Sequence, residues 1–150
     1  MSDDVVLRAG RDEDFPEIIG VWRSAVDATH GFVSPQDLLE MERELIPAFL
    51  PMLDLTVATV DGRVVGFCGV DGEVLEMLFI HDDFRGKGVG SQLLAHAIES
   101  GVRELQVNED APESVDFYRH RGFEVVRRTD LDDAGRPYPT LHMRLTGSNT

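Results

Sequence analysis

Phe84 to Leu94 read F-R-G-K-G-V-G-S-Q-L-L. Three alternating glycines stand between an apolar run, V-L-E-M-L-F-I (Val74 to Ile80), and a segment whose apolar residues Val89, Leu93, Leu94, Ala97 and Ile98 recur at helical spacing. Glycine at this density costs backbone entropy on folding, so the chain needs either positive φ angles here or a backbone bare of side chains. A strand, a glycine-rich turn and a helix N-terminus together make an anion site: successive N–H groups point outward and the helix dipole adds about half a positive charge. Arg85 and Lys87 add side-chain charge, and Lys87 is the only lysine in the chain. The same glycines would also serve a tight turn and close helix packing and nothing more.

Spacing separates the known phosphate loops. A Walker A loop is G-x-x-x-x-G-K followed by Ser or Thr; here the lysine precedes the last two glycines and has no hydroxyl residue next to it. A dinucleotide fingerprint, G-x-G-x-x-G, would put Ser91 or Leu93 where the third glycine belongs. Glu109 and Asp110 do lie about 20 residues on, at the distance of a ribose-binding acid. The strands before the turn nevertheless read as an antiparallel meander, and the chain is too short for a dinucleotide fold plus a substrate domain.

Working outward, Val5 to Ala9 has the composition of a short strand. D-F-P-E (Asp14 to Glu17) and D-A-P-E (Asp110 to Glu113) each predict a helix start, with Asp as cap, Pro in the first turn and Glu reaching back. After the first, Phe15, Ile18, Ile19, Trp22, Ala25, Val26 and Thr29 form one stripe, ended by His30-Gly31. S-P-Q-D (Ser34 to Asp37) opens a second helix with Leu38, Met41, Leu45 and Phe49 on one face, disturbed by Pro47 and ended by Pro51. Leu55 to Val60 and Arg63 to Val70 flank Asp61-Gly62, a strong hairpin signal, and Asp71-Gly72 leads to the strand Val74 to Ile80. Gly101 stops the helix after the glycine turn, Glu104 to Val107 is a strand, and the D-A-P-E helix runs to Gly122. Phe123 to Thr129 and Thr140 to Leu145 close the chain as an antiparallel pair. The order is strand, two helices, three antiparallel strands, helix, strand, helix, two strands. The strands on either side of the glycine-turn helix run parallel through a right-handed crossover, so the fold class is α/β with a mixed sheet.

With 150 residues and 42% hydrophobic residues spread along the chain, one domain over 1–150 with its own core is expected. No window reaches the roughly 20 apolar residues of a membrane span, and M-S-D-D is unlike a signal peptide, so the expected location is cytoplasmic. Cys68 is the sole cysteine and fits a buried thiol; the five histidines show no metal-ligand spacing, so no metal is expected. A net charge of −14, with basic residues scattered, disfavours nucleic acid and anionic membranes and suits a cationic partner. A homodimer is compatible with this composition.

R-G-K-G-V-G, Arg85 to Gly90, resembles the Gln/Arg-x-x-Gly-x-Gly/Ala signature of the GNAT superfamily of N-acetyltransferases. V-N-E (Val107 to Glu109) followed by D-F-Y-R-H-R-G-F-E (Asp116 to Glu124) resembles the family's second motif, and the element order is that of the GNAT fold. Asp27 to Ser34 and Gly135 to Pro139 resemble the bacterial YjaB-like subgroup. Asp82 stands where family members often have Pro and Ser114 where they often have Ala; neither change removes a backbone donor.

The resemblance implies transfer of an acetyl group from acetyl-CoA to a primary amine of a small molecule or protein, by direct attack in a ternary complex. Arg85, Gly86, Lys87, Gly88, Val89, Gly90 and Ser91 would bind the pyrophosphate. Leu78 would supply the backbone N–H for the oxyanion, Phe79 and Ile80 would bond the pantetheine arm, and Asn108 would orient it. Tyr118 would be the general acid for the leaving thiolate. Glu76, the one ionisable residue of an apolar strand, is the candidate base and acceptor-side residue; it would equally suit the solvent face of an alternating strand. His30 and His142 are weaker candidates for the base, and His30 is a further acceptor-side candidate. A GNAT-like module that binds acyl-CoA without turnover, as a sensor or interaction domain, is the alternative.

Overall fold

A computed structural model of the chain describes residues 4–29, 31, 33–132 and 135–146. They fall into two compact units, Met1–Val102 and Arg103–Thr150. In the first, strand β1 (Val6–Ala9) pairs antiparallel with β2 (Asp54–Val60), β2 with β3 (Arg63–Asp71), and β3 with β4 (Val74–Ile80). The β2–β3 turn has Asp61 at φ 51° and Gly62 at φ 82°, the two left-handed residues that a hairpin with native twist requires. Val64, Val65, Gly66, Phe67 and Cys68 are all buried, so β3 is covered on both faces rather than one. Helices α1 (Phe15–Thr29) and α4 (Val89–Glu99) pack on it. α1 contributes Ile18, Val21, Trp22, Ala25 and Val26, and α4 contributes Val89, Leu93, Leu94 and Ala97. Each large side chain buried this way stabilises the unit by about 1.5–3 kcal/mol.

The start of α1 differs from the expected cap. A 3₁₀ turn, Asp12–Asp14, precedes it, and the Asp14 carboxylate faces backward, accepting from the Arg11 N–H at 2.8 Å and pairing with Arg8. Glu17 does not reach back to a cap; its Oε2 accepts from the Val64 N–H at 3.2 Å, joining α1 to β3.

The second helix is divided. Ser34 Oγ accepts from the Asp37 N–H at 3.1 Å and opens α2 (Pro35–Glu40). A π-helical turn, Met41–Leu45, then leads into α3 (Ile46–Phe49) and a 3₁₀ turn, Leu50–Met52. Pro47 has no N–H for the Arg43 carbonyl, and its ring would press on that carbonyl in a regular helix. The wider turn relieves this, with the Ile46 N–H bonding to Met41 O five residues back. One extra residue rotates the apolar stripe: Ile46 and Leu50 are buried, while Leu45, expected in the stripe, is 41% exposed.

In the second unit, β5 (Glu104–Asn108), β6 (Phe123–Thr129) and β7 (Thr140–Leu145) form an antiparallel set in the order β5-β7-β6, with α5 (Pro112–Arg119) between β5 and β6 in the chain. Its core is Leu105, Ala111, Val115, Tyr118, Phe123, Leu141 and Met143. Asp110 does not cap α5 as expected: the N-cap is Ala111, with no side-chain hydrogen bond, and the turn is held by Ala111 N–H to Asn108 O at 3.1 Å. The order of elements is otherwise the one read from the sequence.

Candidate functional site

The pairing of β3 and β4 runs regularly from Gly66↔Ile80 to Gly69↔Met77 and then jumps to Val70↔Leu75. The extra residue is Glu76, which has no opposite number on β3. Such a bulge bends the strand and re-aims the bulged side chain, and it commonly sits beside functional sites. Glu76 is half-buried, between the buried Leu75 and Met77. Leu78, Phe79 and Ile80 continue past the bulge in register with Cys68, Phe67 and Gly66, each half-buried.

The chain then turns. His81 donates its N–H to Val65 O at 2.8 Å, and its Nδ1 accepts from the Asp83 N–H at 3.1 Å. A 3₁₀ turn, Asp82–Phe84, follows, closed by Phe84 N–H to His81 O at 2.8 Å. Gly86 has φ 77° and Gly88 φ 82°, so two of the three glycines occupy the left-handed region that side chains disfavour. The first bond of the α4 ladder runs from Gln92 N–H to Gly88 O, 3.1 Å. The amides of Val89, Gly90 and Ser91 therefore precede the ladder, at the positive end of the helix dipole. Arg85 and Lys87 are exposed alongside them, with Arg85 Nη1 at 3.4 Å from Asp82 Oδ1.

Residues that the sequence did not single out hold this turn. Ser24 on α1 accepts from the Asp82 N–H through Oγ at 3.0 Å. Arg63, at the start of β3, stacks its guanidinium 5.3 Å from the centroid of the Phe84 ring. A Cβ on Gly66 would lie 2.9 Å from Ile80 Cδ1, 3.1 Å from Val89 Cγ1 and 3.3 Å from Leu93 Cδ1, so this glycine lets α4 close onto the strand. A glycine within an apolar strand was the only signal available for any of the three.

In the second unit, Asn108 ends β5 opposite Thr140, half-buried, and its carbonyl anchors the turn into α5. Tyr118 is 8% exposed, with its ring edge-on to Phe117 at 5.2 Å and to Phe123 at 6.0 Å. Glu109 is engaged by Arg128, with Nε–Oε2 at 2.7 Å and Nη2–Oε1 at 3.1 Å, and Arg128 also reaches Asp130 at 2.6 Å. The guanidinium holds the Glu109 carboxyl below its ordinary range. This carboxylate is committed to a brace between β5 and β6 and not to a ribose. His142 has Arg127 Nη2 at 3.4 Å from Nδ1 and Thr129 Oγ1 at 3.5 Å from Nε2. An arginine can only donate, so Nδ1 accepts, and both ring nitrogens are occupied by these long contacts. That disfavours His142 as a base. His30 lies outside the described residues. Among the described residues, no group of three or more His, Cys, Asp or Glu side chains is arranged to hold a metal ion, and no helix is long and apolar enough to cross a membrane.

Comparison with known proteins identifies the family. A family model for the acetyltransferase (GNAT) domain matches residues 52–125. The peptidyl-lysine N-acetyltransferase YjaB of Salmonella typhimurium (strain LT2) is 41% identical over 139 residues, covering 91% of this chain and 95% of that protein. Its counterpart from Escherichia coli (strain K12) is 40% identical over 147 residues, covering 96% and 99%. The solution structure of the apo form of E. coli YjaB superposes with a TM-score of 0.88 at 37% identity, over 97% of this chain and 99% of that one. PaiA N-acetyltransferase from Thermoplasma acidophilum, solved in complex with coenzyme A, superposes with a TM-score of 0.71 at 20% identity, over 94% and 99%, a likeness of fold. The mixed α/β architecture is the GNAT fold, and with such identity to curated relatives over nearly its whole length the chain belongs to the GNAT superfamily of N-acetyltransferases.

Proposed function

We propose that this chain transfers the acetyl group of acetyl-CoA to the side-chain amine of lysine in a protein acceptor, by direct attack within a ternary complex, and that residues 1–150 act as one catalytic domain. The observation that carries the reading is the turn from Arg85 to Ser91. A Cβ added at Gly86 or Gly88 would meet nothing within 4 Å beyond its chain neighbours, so glycine is required there for its positive φ and not for space. Amides that precede a helix ladder, with two cationic side chains beside them, fit a diphosphate.

Bound there, the cosubstrate supplies an activated thioester. Removing a proton from a lysine ammonium of pKa near 10.4 costs about 4–5 kcal/mol at neutral pH, and Glu76, re-aimed by its bulge, receives that proton directly or through water. The Leu78 backbone N–H is the donor assigned to the negative charge that develops on the carbonyl oxygen. Phe79, Ile80 and Asn108 hold the pantetheine arm. Tyr118 gives a proton to the departing sulfur, whose parent thiol has a pKa of about 8.5. His30 is retained as an acceptor-side residue.

Lysine is favoured as acceptor because the curated relatives carry peptidyl-lysine in their names and because a net charge of −14 draws cations. A single buried cysteine, Cys68, suits a cytoplasmic setting. The test is to mix the purified chain with acetyl-CoA and a panel of lysine peptides, N-terminal amines and small polyamines, and to follow free thiol. Thiol release that depends on a lysine peptide is expected. Tight acetyl-CoA binding with no release across the panel would favour the non-catalytic module, and release with small amines alone would move the acceptor away from protein.

A further inference from the structure

Two side chains hold the turn that leads into the glycine sequence, and they differ in what a proton does to them. Ser24 Oγ takes the Asp82 N–H at 3.0 Å, and His81 Nδ1 takes the Asp83 N–H at 3.1 Å. His81 is the N-cap of the 3₁₀ turn, in extended conformation at φ −57° and ψ 138°, and its own N–H is anchored on Val65 O of β3. Its side chain is 23% exposed, with the ring edge-on to Phe84 at 6.4 Å, so it is fixed in place yet within reach of solvent. A backbone N–H can only donate, so Nδ1 carries a lone pair and the ring is neutral, with its proton on Nε2. The serine hydroxyl accepts at any pH in this range. An imidazole accepts only while neutral, because both of its nitrogens are donors once it takes a second proton, and histidine is the side chain that does so between pH 8 and 5.

We propose that His81 is a positioning residue for the cosubstrate turn, and that protonation of its ring frees the Asp83 N–H, loosens residues 85–91 and weakens acetyl-CoA binding. This rests on the reading of Arg85–Ser91 as the diphosphate site. A proton on Nδ1 faces the amide hydrogen head-on, and the bond is lost. The charged ring is then drawn to Asp83 Oδ2, which lies 3.8 Å from Nδ1, and swings from the amide towards the carboxylate. What remains of the 3₁₀ turn is Phe84 N–H to His81 O at 2.8 Å and the longer bond from Arg85 N–H to Asp82 O at 3.3 Å. Arg85, the first residue of the phosphate turn, is thus tied back by the weaker of the two. The other charged groups around the ring are already engaged. Asp82 pairs with Arg85 in the turn itself, and Arg63 of β3 stacks on the same Phe84 ring. On α1, Glu17 takes the Val64 N–H and Arg23 is bound to Asp27 and Glu42. Ser24 keeps its hold on Asp82, so the turn frays rather than unfolds. The fraction of molecules with a preformed site falls, and apparent affinity falls with it.

The test is calorimetry with 3′-dephospho-coenzyme A at pH 8 and pH 5.5. Its diphosphate stays charged across this range, whereas the phosphomonoester of coenzyme A would itself take up a proton near pH 6. Wild type should bind about fivefold more weakly at pH 5.5 than at pH 8, the scale set by loss of one cap. His81→Ala should be about that much weaker already at pH 8 and change little on acidification. His81→Asn, whose amide oxygen accepts at both pH values, should rescue binding at pH 8 and hold it at pH 5.5. In the NMR spectrum of the free wild-type chain, the Asp83 amide and the His81 ring should move together, with one midpoint. Equal pH dependence in wild type and His81→Asn, or an Asp83 amide that stays still while the ring titrates, would overturn the proposal and leave the diphosphate site standing. Absence of binding by wild type at pH 8 would instead bring down the site assignment, and this proposal with it.

Discussion

Replacing Asp14 with asparagine isolates the ion pair that fixes the entry to α1, the helix whose Ser24 holds the glycine turn. Both carboxylate oxygens meet Arg8, at 2.8 and 2.9 Å, and the Arg11 N–H adds a third bond at 2.8 Å. Asp14 is 5% exposed. The Arg8 hydrogen bonds, opposed by burial and aided by the Arg11 N–H, hold its carboxyl at about 2 against an ordinary 3.8. That difference converts to about 2 kcal/mol, and because the Arg8 side chain is 33% exposed, solvent screening trims it to roughly 1–2 kcal/mol. The folded-state pKa lies below the unfolded one, so the stabilisation is complete above about pH 4 and is lost as pH falls towards 2. For a chain of this size, Asp14→Asn should melt about 3–6 °C below wild type at pH 7. The gap should close progressively between pH 4 and pH 2, as the wild-type carboxyl becomes protonated. Thermal unfolding of both proteins by circular dichroism, pH 7 to 2.5, measures it. A gap that is the same at pH 3 as at pH 7, or none at pH 7, would refute the reasoning.

Four further outcomes bear on the site. Tyr118→Phe preserves the packing against Phe117 and Phe123, so it should fold as wild type and lose about 10²-fold in kcat; an unchanged kcat would remove Tyr118 from the chemistry. Glu76→Gln should lose a similar factor at neutral pH and regain rate as pH rises and the amine deprotonates itself; a parallel pH profile would contradict its role as base. Gly66→Val drives methyl groups into Ile80, Val89 and Leu93, and should cost about 1–3 kcal/mol in denaturant unfolding and raise KM for acetyl-CoA through displacement of the α4 N-terminus. Arg85→Ala combined with Lys87→Ala should weaken binding of coenzyme A more than binding of a dephosphorylated pantetheine fragment; equal losses in calorimetry would contradict the phosphate assignment.

Much of the first unit was legible because its signals are local. Asp61-Gly62 can hardly avoid a left-handed hairpin turn, and R-G-K-G-V-G between an apolar strand and an apolar-periodic segment leaves few conformations open. What was missed depends on neighbours distant in the chain. Pro47 announces a disturbance, but whether it kinks, ends or widens the helix depends on what packs beneath Ile46 and Leu50. The sequence V-L-E-M-L-F-I alternates equally well with or without a bulge, so the re-aiming of Glu76 is decided by the register of β3. Asp110 had every property of a cap and lost to a backbone turn closed by Asn108 O, while Asp14 lost its forward bond to the pull of Arg8. Ser24 carries no motif at all; its partner, the Asp82 N–H, lies 58 residues away.

The jump in register from Val125↔Met143 to Arg127↔His142 makes Val126 an unpaired insertion, 62% exposed, on the outermost strand of the β5-β7-β6 set. A straight ribbon of this composition would offer its free side as a template on which another molecule could dock its own backbone. The kink at Val126, followed at once by two arginines, spoils that template and charges it. An oily residue left in water thus serves colloidal safety: shortening the strand by that single position would tidy the hydrogen-bond ladder and hand the protein a route to sticky, edge-on polymers.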